Sequence, residues 1–213
     1  MSEKDSLMED LLNLSSGEFE RYILYYKSAM MEIETKLNIM RNEFMLKNDR
    51  NPISTIQSRL KKPTSIIEKL RRLNADISLE SMDENLNDVA GIRVICSFLD
   101  DVYMMSEALL SQDDVKLIRV KDYIKNPKPN GYRSLHLIIE IPIFLTNTKK
   151  NIKVEVQFRT IAMDSWASLE HQLKYKKDFE TSSEIENELK ECAALCSEVD
   201  LRMNEMRKNI IDD

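Results

Sequence analysis

Glycine, proline, cysteine and histidine are all scarce in this 213-residue chain, at 3, 5, 3 and 2 copies. So few glycines and prolines exclude collagen-like, Gly/Pro-rich low-complexity and long-loop architectures. Three cysteines without a CxxC pair exclude a disulfide scaffold and a cysteine-rich zinc site. Two histidines are too few for a multi-histidine metal phosphohydrolase centre. No apolar run approaches the ~20 residues that span a bilayer. The opening MSEKDSLMEDLLNL is acidic and lacks the apolar centre of a signal peptide. The expectation is a cytoplasmic protein with no membrane partner. Walker A and GxGxxG patterns are absent, and neither histidine lies near a GxSxG elbow, so P-loop, Rossmann and Ser-His-Asp hydrolase sites are unsupported.

Charge is what the chain has in plenty: 32% of residues are charged, against 42% hydrophobic. That balance fits a globular domain with long exposed helices. The 31 basic and 37 acidic residues give a net charge of -6. DNA is therefore not an expected partner, and an RNA effector is not favoured. One stretch runs the other way. RLKKPTSIIEKLRR (59–72) carries six basic residues and the single acid Glu68. A basic pocket on an acidic protein suits a compact polyanion such as a nucleoside triphosphate. A solvated basic helix face is the alternative.

Three zones follow from periodicity. Residues 1–50 read as a tail and a long helix, with Ser15 and Glu18 at capping-box spacing. Phe19, Tyr22, Tyr26, Met30, Ile33, Leu37, Met40 and Phe44 form its heptad-like seam, and Asn51-Pro52 ends it. Residues 51–180 form a mixed zone. Pro63 opens a helix to about Asn74 whose apolar face is Ile66, Ile67, Leu70 and Leu73, with Ser65, Lys69 and Arg72 on another face. Four strands are expected, at 92–98, 115–120, 134–141 and 152–158, with helices at about 101–110 and 160–176. Trp166, Leu169 and Leu173 mark the face of the second. Residues 181–213 are helical, with a seam of Ile185, Leu189, Cys192, Cys196, Val199, Met203, Met206 and Ile210. On that seam the two cysteines read as core rather than metal ligands. The terminal seams pack on their own domain or build an oligomer, and leftover apolar stripes favour the oligomer.

Period 2 sorts the strand faces. Ile152, Val154, Val156 and Phe158 are core, which leaves Lys153, Glu155, Gln157 and Arg159 together on the other face. Leu135, Leu137, Ile139 and Ile141 are core opposite Ser134, His136, Ile138 and Glu140. Arg93 opposes Ile92, Val94 and Cys96. On adjacent strands these polar faces make a charged floor, though an antiparallel sheet with one wet face reads the same way. Asp88 and Glu155 could share a Mg²⁺, which takes one or two carboxylates plus phosphate oxygens. Composition alone favours a turn or cap for Asp88. RVKDYIKNPKPNGYRSLH (119–136) interleaves cations with tyrosines in a shaped loop, suiting phosphates and base stacking. The alternative is a basic hairpin loop.

Four stretches in order, RLKKPTSIIEKL (59–70), DVAGIRVIC (88–96), 119–136 and VEVQFRTIAMDSWASLEHQLKYK (154–176), together with the helical flanks, resemble the RelQ-like small alarmone synthetases of the RelA/SpoT family. The resemblance implies an α/β (α+β), nucleotidyltransferase-like mixed sheet flanked by helices. It divides the chain into an N-terminal tail and helix (1–50), a catalytic domain (51–180) and a C-terminal oligomerisation helix (181–213). It implies transfer of the β,γ-pyrophosphate of ATP to the ribose 3′-hydroxyl of GDP or GTP, releasing AMP, with Mg²⁺ as cofactor and a homotetramer as the assembly. Asp88 and Glu155 would carry the metal and the catalysis. Arg59 and Arg93 would sandwich the adenine, and Lys61, Ser65, Lys69 and Arg72 would hold ATP phosphates. Tyr132 would stack on guanine, with Lys125, Lys128, His136 and Gln157 around the acceptor. Arg119, Lys121, Arg159, Glu170 and His171 would support the site. No hydrolase domain is expected, so synthesis without degradation follows. Product activation is not expected either, because EIETKLNIMRNEF (32–44) holds few lysines. A non-catalytic nucleotide-binding or RNA-binding regulator, and a nucleotidyltransferase releasing pyrophosphate, remain the alternatives.

Overall fold

Alternation of apolar and polar side chains in the strands, and three-four spacing in the helices, produce a mixed α/β architecture. The computed structural model describes residues 17–175 and 183–211. Along them run α1 (Gly17–Asn48), β1 (Ile53–Leu60), α2 (Pro63–Arg72), α3 (Leu79–Asn85), β2 (Ala90–Cys96), α4 (Leu99–Leu110), β3 (Lys116–Asp122), β4 (Leu135–Phe144), β5 (Lys149–Thr160), α5 (Ile161–Tyr175) and α6 (Ser183–Ile211). The five strands form one sheet in the order β1-β2-β5-β4-β3. β2 and β5 pair in parallel and the other neighbours are antiparallel.

One sheet face is core. Ile92, Val94, Leu137, Ile139, Val154, Val156 and Phe158 are buried on it. α1 covers this face with Tyr26, Ile33 and Leu37, and α2 adds Ile66, Ile67 and Leu70. At ~1.5–3 kcal/mol for each fully buried large apolar side chain, this layer is the main source of stability. The α1 seam is thus used mostly within its own domain. Of its outer members, Tyr22 and Met40 are half-buried against the same core.

Several sequence expectations need correction. Residues 53–60 form a strand, β1, that the periodicity did not announce, and α3 is likewise additional. A register shift between Ile53 and Thr55 changes the strand's phase. Its core-facing apolar residues, Ile53, Ile56 and Leu60, therefore stand at helix-like rather than alternating spacing. On α5, Trp166 is buried but Leu169 and Leu173 are exposed, and the inner face is Met163, Trp166 and Ala167. α6 docks through Ala193, Asp200 and Asn204, all buried, whereas Val199, Met203, Met206 and Ile210 of the expected seam are exposed. Cys192 is exposed and Cys196 half-buried, so Cys192 is not core. Polar bonds explain this choice of face. Asp200 accepts from the Thr160 hydroxyl at 2.7 Å, and Asn204 Oδ1 accepts from the Asp100 amide at the start of α4. Ser15, the proposed cap of the first helix, lies outside the described residues. Among the described residues no helix is long and apolar enough to cross a membrane.

Candidate active site

The face opposite α1 carries the polar residues, and the register aligns them across strands. One row runs Arg59, Gly91, Glu155, Ile138 and Arg119. The next runs Gln57, Arg93, Gln157, His136 and Lys121. β2, β5 and β4 are adjacent, so the charged floor exists as a continuous surface. A cleft of about 500 Å³ opens on it, lined by Gln57, Arg59, Lys61, Asp88, Arg93, Glu155 and Gln157 among others. Arg59 and Arg93 are diagonal neighbours across the β1-β2 ladder, a spacing of about 7–8 Å.

Asp88 precedes β2, where the chain turns into the sheet. Its carboxylate meets Lys61 Nζ at 2.8 Å and Lys69 Nζ at 2.7 Å. Burial raises the Asp88 carboxyl, but the two ammonium groups outweigh it and hold the group below the usual carboxylate range. Lys69 reaches this point from α2, whose Pro63 start fixes the helix directly after β1. Ser65 lies one turn earlier on that helix and is half-exposed, while Arg72, one turn later, is exposed. Neither lines the cleft itself.

Glu155 sits in a closed ring of hydrogen bonds. Arg159 Nη2 donates to the Tyr132 hydroxyl at 2.8 Å and to Gln157 Oε1 at 3.3 Å. Tyr132 lies 3.0 Å from His136 Nε2, and His136 Nδ1 lies 3.3 Å from Glu155 Oε1. Gln157 Nε2 donates to Glu155 Oε2 at 2.7 Å and closes the ring. The tyrosine has one proton, so with Arg159 donating to it that proton goes to Nε2. Nδ1 then carries the imidazole proton and donates it to Glu155. Burial raises the Glu155 carboxyl; His136 and Gln157 overcome this, and the Asp88 charge works against them. The net effect is a Glu155 carboxyl held below its ordinary range. Two ionised carboxylates on one cleft fit a Mg²⁺ that also takes phosphate oxygens. No group of three or more His, Cys, Asp and Glu residues meets among the described residues.

Beside the cleft, Tyr132 anchors the 123–134 loop. Lys128 Nζ lies 4.8 Å from the ring centres of both Tyr123 and Tyr132. Tyr123 packs edge-on to His136 at 5.3 Å. Lys125 is exposed, pairs with Asp122 at 3.7 Å and lies 5.1 Å from the Tyr103 ring. The loop is held from below: Gly131 has φ of +89°, and a Cβ there would meet Ala193 Cβ on α6 at 2.6 Å. Glycine is the residue that tolerates both constraints. Arg119 is exposed and Lys121 half-exposed on the edge strand. Glu170 accepts from Asn130 at 3.2 Å, and His171 is exposed on α5. The structure therefore gathers Arg59, Lys61, Lys69, Asp88, Arg93, Glu155 and Gln157 at the cleft, and Tyr132, His136 and Arg159 beside it. The remaining candidates surround this centre at a greater remove.

Sequence reasoning missed Asp164. It lies in the first turn of α5 and pairs with Arg159 at 2.9 Å and Arg93 at 3.4 Å. Gln57 of the cleft was also missed, since β1 itself was.

A sequence family described as the region found in RelA / SpoT proteins matches residues 58–180, a span that contains all of these side chains except Gln57. The chain belongs to the RelA/SpoT family. Among its relatives, GTP pyrophosphokinase YwaC of Bacillus subtilis (strain 168) is 42% identical over 203 residues, 95% of this chain and 96% of YwaC. The crystal structure of small alarmone synthetase 2 from Bacillus subtilis superposes with a TM-score of 0.81 at 42% identity, covering 90% of this chain and 99% of that one. Small alarmone synthetase 1 from the same organism, bound to its product pppGpp, gives a TM-score of 0.81 at 33% identity over 91% of this chain and 98% of that one. The mixed sheet flanked by helices that the resemblance to this family implied is the fold observed.

Proposed function

We propose that this protein is a GTP pyrophosphokinase. It moves the β,γ-pyrophosphoryl group of ATP to the ribose 3′-hydroxyl of GDP or GTP, and AMP leaves. The observation that carries the reading is the meeting of Asp88 and Glu155 on one cleft between a cationic wall and a tyrosine-bearing loop. Relatives named for this activity cover nearly the whole chain and support it.

In this reading Arg59 and Arg93 grip the adenine from adjacent strands. Lys61 and Lys69 exchange part of their contact with Asp88 for the donor phosphates. Tyr132 offers its ring to guanine, with Lys125 and Lys128 near the acceptor phosphates. The two nucleotides are thereby held in line, and positioning is much of the catalysis. Mg²⁺, held by Asp88 and Glu155, would neutralise charge growing on the transferred group. Glu155 remains ionised and accepts the 3′-hydroxyl proton, while His136 Nδ1–H fixes its orientation. The cations on the cleft walls stabilise the negative charge of the departing AMP.

The exposed Val199, Met203, Met206 and Ile210 of α6, with Met31 and Ile39 of α1, supply apolar surface for the homotetramer. A cytoplasmic setting suits an enzyme that draws on nucleoside triphosphates.

The test is incubation with Mg²⁺, ATP and GDP, GTP or GMP. AMP with a guanosine tetra- or pentaphosphate supports the proposal. Release of pyrophosphate would make it a nucleotidyltransferase, and tight binding without turnover a regulator.

A further inference from the structure

The geometry points to Asp164 as a positioning residue that ties the donor and acceptor halves of the site together, an assignment that rests on the pyrophosphate-transfer reading above. Its carboxylate stands between two guanidiniums that come from different strands. Arg159 Nη1 donates to Oδ1 at 2.9 Å, and Arg93 Nη1 lies 3.4 Å from the same oxygen. Arg159 is buried and Arg93 half-buried. Two like charges in that setting repel, and burial penalises each. Arg93 registers both: burial lowers its pKa, Arg159 lowers it further, and Asp164 pulls the other way. One carboxylate therefore lets the two cations sit together.

The consequences reach both substrates. Arg93 lines the cleft on the donor side. The guanidinium of Arg159 is planar, so anchoring Nη1 on Asp164 fixes where Nη2 points. Nη2 serves the Tyr132 hydroxyl and Gln157, and through them His136 and Glu155. With the Asp164 charge removed, Arg93 swings away from Arg159 and the ring loses its fixed donor. Asp164 is itself placed by the first turn of α5, directly after β5, where a carboxylate also complements the helix dipole.

Equilibrium titrations with one nucleotide at a time test this, using ATP alone and GDP alone on the full chain. Asp164→Asn is expected to weaken both, each by about tenfold, the scale of one lost charge-assisted hydrogen bond. Arg93→Gln should weaken ATP alone, and Arg159→Lys should weaken GDP alone. In the Arg159→Lys background, Asp164→Asn should add nothing to the GDP loss while still weakening ATP. A general loss of structure would not produce that split. A folded Asp164→Asn protein that loses affinity for one nucleotide only, or for neither, overturns the assignment. Should that variant fail to fold, Asp164→Ser also removes the charge and is read in the same way: both affinities fall together, or the assignment is wrong. A wild-type protein that binds both nucleotides but makes no tetraphosphate would sink the transfer reading and leave the Asp164 result standing. A wild type that binds neither would sink both.

Discussion

Lys69 Nζ stands 2.7 Å from the Asp88 carboxylate, and this contact joins α2 to the turn that leads into β2. Asp88→Asn is expected to keep the fold and cut the rate of AMP formation by about a hundredfold or more, the cost of losing electrostatic stabilisation at the reacting group. Near wild-type turnover by a folded variant would remove Asp88 from the catalytic set.

Glu155→Gln should likewise fold and lose most turnover. Both carboxyls are held below their ordinary values in the folded state. A depressed carboxyl contributes stability that is present above its unfolded pKa, about 4, and is lost as pH falls through the folded value. Thermal unfolding of the wild type and the Asp88→Asn/Glu155→Gln double variant should therefore converge as pH drops below about 4. A gap that stays constant down to pH 2 would contradict these depressed values.

Tyr132 has two separable parts, a ring and a hydroxyl. Tyr132→Ala removes both and should weaken guanine-nucleotide binding while ATP binding is largely kept. Tyr132→Phe keeps the ring and opens the hydrogen-bond ring at its midpoint. Its signature is a smaller loss of guanine affinity than in the alanine variant, with reduced kcat. Equal losses for ATP and GDP in the alanine variant would exclude a stacking role.

Gly131 is constrained twice, by its positive φ and by Ala193. Gly131→Ala should destabilise by about 1–3 kcal/mol, a drop of several degrees in Tm for a chain of this size. Adding Ala193→Gly relieves the contact but not the backbone strain, so calorimetry should show partial recovery. Full recovery would mean that φ costs little here.

The exposed apolar row on α6 gives a last prediction. Met203→Glu with Ile210→Glu should shift the protein to smaller species in sedimentation velocity. An unchanged sedimentation coefficient would contradict a role for this row in assembly.

Much of this site was legible in the sequence because period 2 is strict along β5 and holds on the core side of β4. Glu155 and Gln157 fall on the polar face by parity alone, and the core side of both strands is continuous. β1 was hidden because its register shift puts Ile53, Ile56 and Leu60 at spacings that mimic a helix. The docking face of α6 was hidden for a different reason. Asp200 and Asn204 are buried through hydrogen bonds to β5 and α4, and no hydrophobicity pattern announces a polar contact face. Asp164 left only a faint sign, a carboxylate five positions after Arg159 at a helix start. Its second partner, Arg93, arrives through the parallel pairing of two strands far apart in sequence.

β5 is the last strand to be made, yet it occupies the middle of the sheet, between β2 and β4. A nascent chain that stops before Lys149 leaves both neighbours with unpaired edges, which are templates for aggregation. The parallel ladder also closes a large loop, a slow and non-local step in folding. Ribosome-bound fragments short of this strand will need protection by chaperones, and enzymatic competence will emerge only with the insertion that completes the ladder.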